Sequence, residues 1–113
     1  MDELVKKIAA LGVPGLVFLV AVSATGLSGA AAITAALAAL GPGGMIGGIG
    51  FLLIIGLVAD KVSEFGIEAI VKAVVKEMLK TKTREKLISE IRDFPFSRSL
   101  KLKVEDYVKK YAI

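Results

Sequence analysis

The residues that first invite a chemical reading are the glycines of AALGPGGMIGGIGFLL, residues 38–53, where six of sixteen positions are glycine. A glycine-rich turn can wrap phosphate with its backbone N–H groups, and the P-loop version needs G-x-x-x-x-G-K-[ST]. From Gly43 the second glycine falls correctly at Gly48, but Ile49 and Gly50 stand where lysine and a hydroxyl are required. A dinucleotide fingerprint can start at Gly41 and Gly43, yet its third position is Ile46 and no acidic residue follows until Asp60. The letters therefore argue against nucleotide binding.

The other chemistry-bearing types are sparse. The chain has no histidine and no cysteine, which removes the usual general base, the commonest transition-metal ligand, thiolate chemistry and a disulfide framework. Glu64 and Glu68 lie one helical turn apart and offer a hard cation two carboxylates, but no further oxygen ligands accompany them, so a solvated face is the expected reading. No serine, tyrosine or lysine stands in a nucleophile-and-base arrangement. The expectation is a protein without catalytic residues, cofactor or metal.

Without a reactive centre, the distribution of charge carries most of the information. Hydrophobic residues are 55% of the 113, about two thirds once the 12 glycines are added, against roughly 45–50% counted that way in soluble domains. Ile8 to Ala59 is a run of 52 residues without Asp, Glu, Lys, Arg or His, whereas 60–113 holds 22 of the 26 charges. The expected division is an apolar unit, 1–59, and a charged unit, 60–113. The opening MDELVKK followed by an apolar stretch resembles a secretory leader, but Asp2 and Glu3 offset Lys6 and Lys7, a poor cationic n-region. Met1 is read as the start.

A bilayer core about 30 Å thick needs roughly 20 apolar residues of helix, so this run offers two spans and a turn, or three shorter pieces. Breakers fall at 12–15 (GVPG), 23–29 (SATGLSG) and 41–44 (GPGG). The last places a hairpin tip at Gly41, Pro42, Gly43 and Gly44, because proline cannot continue the helix and glycine supplies the dihedrals of a reversal. The arm before it, Ala30 to Leu40, presents Ala32, Ala35, Ala36 and Ala39. The returning arm, Met45 to Ala59, opens with two G-x-x-x-G pairs, Gly43 with Gly47 and Gly44 with Gly48. Such small-residue surfaces let helix backbones approach closely in lipid.

After Asp60 the period becomes amphipathic. Val62, Phe65, Ile70, Val71, Val74, Val75, Met78 and Leu79 form one stripe, with Gly66 placed to bend it. Thr83 is the expected N-cap of a second helix bearing Leu87, Ile88, Ile91 and Phe94, which Phe94-Pro95 ends. A third helix begins at Ser97 or Ser99 and places Leu100, Val104, Tyr107, Val108 and Tyr111 on one face.

The segments GLSGAAAITAALAALGPGGMIGGIG, FGIEAIVKAVVKEMLK and EKLISEIRDFPFSRSLKLKVEDYV together resemble a group of small bacterial apolar-hairpin proteins. The resemblance covers most of the chain and implies no activity. In style the chain is also similar to circular bacteriocins and to membrane-curvature hairpin proteins.

The sequence reading is an all-α protein: a Gly/Ala-rich apolar hairpin followed by about three amphipathic helices, assembled as a homo-oligomer in a lipid bilayer. Lys6, Lys7, Lys61, Lys72 and Lys76 are the expected membrane-interface residues. With positive charge at both ends of the apolar run, both termini are expected on the cytoplasmic side. The expected action is a pore or other bilayer perturbation, as in bacterial defence or competition, with 60–113 free to dock a protein partner. A scaffold, curvature, shell or filament protein and a non-catalytic subunit of a larger membrane complex are the alternatives. Acidic and basic residues alternate in 60–113 without an arginine-rich patch, so nucleic acid is not an expected partner.

Overall fold

Among the described residues, two glycines with positive φ, Gly12 and Gly66, form corners of the chain. The computed structural model describes residues 2–24, 31, 58, 60–62, 64–94 and 98–112. Among these it contains five helices of eight residues or more and no strand: α1 (Asp2–Leu11), α2 (Val13–Ala24), α3 (Ile67–Met78), α4 (Arg84–Asp93) and α5 (Arg98–Tyr111). The hairpin tip at 41–44, the small-residue contacts at Ala32, Ala35, Ala36, Ala39, Gly47 and Gly48, and the oligomeric state lie outside what the described residues address.

GVPG divides the apolar run into α1 and α2. Gly12 ends α1 with φ 74°, and its carbonyl accepts from the N–H groups of Gly15, at 3.1 Å, and Leu16, at 3.3 Å. Pro14 occupies the first turn of α2, where a missing N–H costs no helical bond. The two helices consequently meet at 118°. Gly15 sits inside that bend, where a Cβ would lie 2.6 Å from the Ile8 carbonyl oxygen.

The second corner is Gly66, with φ 82° and ψ 149° at the start of α3. It interrupts the helical period, and the stripe expected from Val62 onward changes there. Ile70, Val71, Val74, Val75 and Met78 are buried as expected, but Phe65 is 43% exposed, with the Lys61 ammonium 5.8 Å from its ring centre. Further on, Thr83 caps α4 as expected, its Oγ1 accepting from the Lys86 N–H at 3.1 Å, and Phe94 closes the helix in extended backbone. Thr83→Ala is expected to cost about 1 kcal/mol of stability, read as a lower urea midpoint at unchanged m-value.

The core is assembled around α2. VPGLVFLVAVSA has no charged residue, and nine of its twelve residues are buried, with Leu16, Val17, Phe18 and Leu19 at zero exposure. A helix apolar on every side must be enclosed on every side. Here α2 packs on α1, α3 and α5 and touches α4, so for residues 13–24 protein rather than lipid supplies the apolar surroundings. Leu4, Val5 and Ile8 of α1, Leu87 and Ile91 of α4, and Val104 and Val108 of α5 complete this cluster. Val58, from the returning arm, is buried in it too. The packing thus crosses the compositional boundary at 59/60.

The twelve described residues of α2, at a rise of about 1.5 Å per residue, extend roughly 18 Å, short of a bilayer core. No single helix among the described residues is long and apolar enough to cross a membrane; the bent pair α1–α2 passes by combined length and composition.

Candidate functional site

Polar and charged side chains of α2, α3 and α5 meet in a groove beside the last described turn of α2. Its last turn presents Ser23 and Ala24 to the N-terminal turn of α3 and to α5. Val20, Ser23, Ala24, Glu68, Lys103, Asp106, Tyr107 and Lys110 are the described residues around a groove of about 340 Å³. Ser23 Oγ and the Tyr107 hydroxyl are 3.0 Å apart, and either can donate. No carboxylate or amine bonds to either hydroxyl among the described residues. The pair is therefore a bridge that ties the end of α2 to α5.

Tyr107 continues into an aromatic step along α5. Its ring centre is 6.1 Å from that of Tyr111, with planes 28° apart, and the Lys110 ammonium lies 5.3 Å from the Tyr111 ring centre. The i,i+4 spacing of a helix stacks these rings. Tyrosine with an apolar body and a polar tip, beside lysine, is the side-chain pair found where apolar and aqueous phases meet. The sequence placed Tyr107 and Tyr111 on a buried stripe, but the contact with Ser23 joins residues 84 apart and only the fold could produce it.

The far side of α5 is held by a latch to α4. Glu105 is the one buried charge among the described residues, 6% exposed, and its Oε1 accepts from Arg92 Nε at 2.7 Å. Lys101 Nζ donates to the Arg92 carbonyl at 2.7 Å. A buried carboxylate must be paired to offset its lost hydration. This pairing commits Glu105, which flanks the cationic side of α5, to Arg92.

The five expected interface lysines lie on α1, on α3 and on the segment before α3. Lys6 is exposed on α1 and lines a groove with Glu77, Met78 and Thr81, at the C-terminal end of α3. Lys61 precedes the other end of α3 and pairs with Glu64 at 3.2 Å. Lys7 pairs with Glu3 at 3.0 Å, while Lys72 and Lys76 are exposed along α3. Near Lys6, the Lys80 ammonium donates to Glu77 at 2.9 Å. That hydrogen bond holds the Glu77 carboxyl below its ordinary pKa, and the same bond raises Lys80.

Glu64 and Glu68 are separated by the Gly66 corner, so the i,i+4 geometry of a continuous helix does not hold between them. Glu64 bonds to Lys61, and Glu68 lines the groove at the end of α2. No group of three or more potential metal-binding side chains occurs among the described residues. Compared with protein-family models, curated proteins and solved structures, the chain matches none.

Proposed function

We propose that this is a non-enzymatic helical protein that acts at a lipid bilayer, assembling with further copies of itself to form a pore or otherwise perturb the membrane. The observation that carries the reading is α2, a helix with no polar face, sheathed by amphipathic helices whose charges, Glu105 excepted, lie away from the core. Exposing Val13, Leu16, Val17, Phe18, Leu19, Val20 and Val22 to water would cost roughly 10–20 kcal/mol. Hydrocarbon can replace the protein around these side chains without that penalty, so transfer to a bilayer is far cheaper than opening into water. The charge-free stretch that continues to Ala59 extends the same property, and its small residues supply helix contacts between copies. Both termini stay on the cytoplasmic side in this scheme, and residues 60–113 remain available to a protein partner.

Dye release from liposomes tests the proposal directly. Purified protein is expected to partition into the vesicles and empty them, with Gly44→Leu/Gly48→Leu lowering both oligomer size and release. Protein that neither partitions nor releases dye sinks the reading.

The burial of nine of α2's twelve residues favours a second reading, a structural protein whose apolar segment packs against neighbouring copies as a scaffold, shell or filament. That alternative predicts large regular particles in buffer without detergent and intact vesicles in the release assay.

A further inference from the structure

We infer that the outer face of α5 is the surface by which the protein docks on an anionic bilayer. This rests on the membrane reading above and adds the part of the molecule that makes first contact.

The charge of the chain is not spread over its helices. α5 carries five basic residues, Arg98, Lys101, Lys103, Lys109 and Lys110, against two acidic ones, Glu105 and Asp106: a net +3 of the chain's +4. In α1, α3 and α4 acids and bases balance, two against two, two against two and three against three. Lys80 and Lys82, between α3 and α4, are bound to Glu77 and Glu90 at 2.9 and 2.6 Å.

Packing sharpens the asymmetry. Glu105 is turned inward to Arg92 and Lys101 is held by the Arg92 carbonyl. The exposed residues of α5 then include Arg98, Lys103, Lys109 and Lys110 against Asp106; among the described residues none of these four cations makes an ion pair. At 100° per residue, 98, 102, 103, 106, 109 and 110 fall on one side of the helix. In the middle of that side stands Leu102, 51% exposed, one of two large hydrophobics left open among the described residues.

An exposed apolar side chain on a helix face whose exposed charges are four basic against one acidic suits a helix lying against a charged lipid interface. Nucleic acid fits less well, since it would leave Leu102 against phosphate and the face has a single arginine. The position of the face also suits the task. Tyr107, on the flank of α5, bonds Ser23 of α2, so the docking face adjoins the apolar helix that the membrane reading exposes to lipid.

Full-length protein would be titrated with vesicles of phosphatidylcholine alone and of phosphatidylcholine with phosphatidylserine. Binding is expected on the anionic vesicles and is expected to weaken as salt is raised. K103Q/K109Q/K110Q should lower it roughly 100-fold, at about fivefold per lysine beside an anionic surface. K72Q/K76Q/K86Q, which removes the same charge from α3 and α4, should leave it close to wild type. Because the chain has no tryptophan, L102W gives a single reporter whose emission should shift to the blue on anionic vesicles, whereas S89W on α4 should not shift. All these positions are exposed, and unchanged circular dichroism melting confirms the fold of each variant. Equal losses in the two triple variants, or binding indifferent to both lipid charge and α5, overturn the α5 surface and leave the membrane reading standing. Absence of binding to every vesicle overturns both. Displacement of bound protein from anionic vesicles by duplex DNA or RNA would assign the face to nucleic acid instead.

Discussion

Gly15→Ala is expected to lower the stability of the bundle by roughly 2 kcal/mol, the result of an overpacking cost of about 1–3 kcal/mol less a part of the helix-propensity gain of up to ~1 kcal/mol. The added Cβ would meet the Ile8 carbonyl oxygen at 2.6 Å and Leu11 Cβ at 3.1 Å. A backbone carbonyl cannot rotate away, so α1 and α2 must separate at their corner and uncover Leu4, Val5 and Ile8. At about 4 °C per kcal/mol for a domain of this size, the melting temperature should fall by roughly 8 °C. Gly12→Ala is the informative contrast. Its surroundings are open, the nearest atom being Pro14 Cδ at 4.0 Å, and the cost comes from φ 74° alone, roughly 1–2 kcal/mol. A Gly15→Ala protein that melts with or above the wild type would mean that α1 does not close on α2 as described.

The largest single loss is expected at Phe18. It is the largest fully buried side chain among the described residues, at the middle of the helix around which the others pack, and Phe→Ala at such a site costs roughly 3–5 kcal/mol. Against a total stability of roughly 5–15 kcal/mol for a domain, this brings the bundle close to unfolding at 37 °C, visible as a lost or greatly lowered calorimetric transition. The substitution also separates two ways of acting on a membrane. If the sheath must open to release α2, Phe18→Ala weakens the sheath and dye release should start faster than in the wild type at equal bound protein. Slower release, with binding intact, would mean that the packed bundle itself is the active form.

Much of the fold was legible because its causes are local. Thr83 caps α4 because a hydroxyl three residues before an orphan N–H needs nothing from elsewhere in the chain. Gly66 bends the chain because only glycine accepts φ 82° without strain. The stripes of α3, α4 and α5 were visible at helical spacing, and their central members, Val74, Leu87 and Val104, are all at zero exposure. Phe65 departed from its stripe because the Gly66 corner reset the helical period, and periodicity read across a break assigns the wrong face.

The candidate site was far less legible. Lys6, Lys7, Lys61, Lys72 and Lys76 drew notice as charges bordering an apolar run, a one-dimensional criterion. The structure sends Lys6 and Lys61 toward opposite ends of α3 and leaves Arg98, Lys103, Lys109 and Lys110 exposed on α5. No run of letters announces this, since KLKVEDYVKK reads as mixed charge until Glu105 is turned inward by Arg92, thirteen residues away.

By itself the sequence determined that the chain is helical, that its charge is segregated, where glycine and threonine start and stop several helices, and that α2 must be hidden from water. Those properties follow from side-chain type and near-neighbour spacing. What hides α2 was decided by tertiary structure alone, because a helix apolar on all sides is satisfied equally by hydrocarbon and by other helices. Only the arrangement of α1, α3 and α5 around it chose protein for residues 13–24 and left the cations of α5 facing outward.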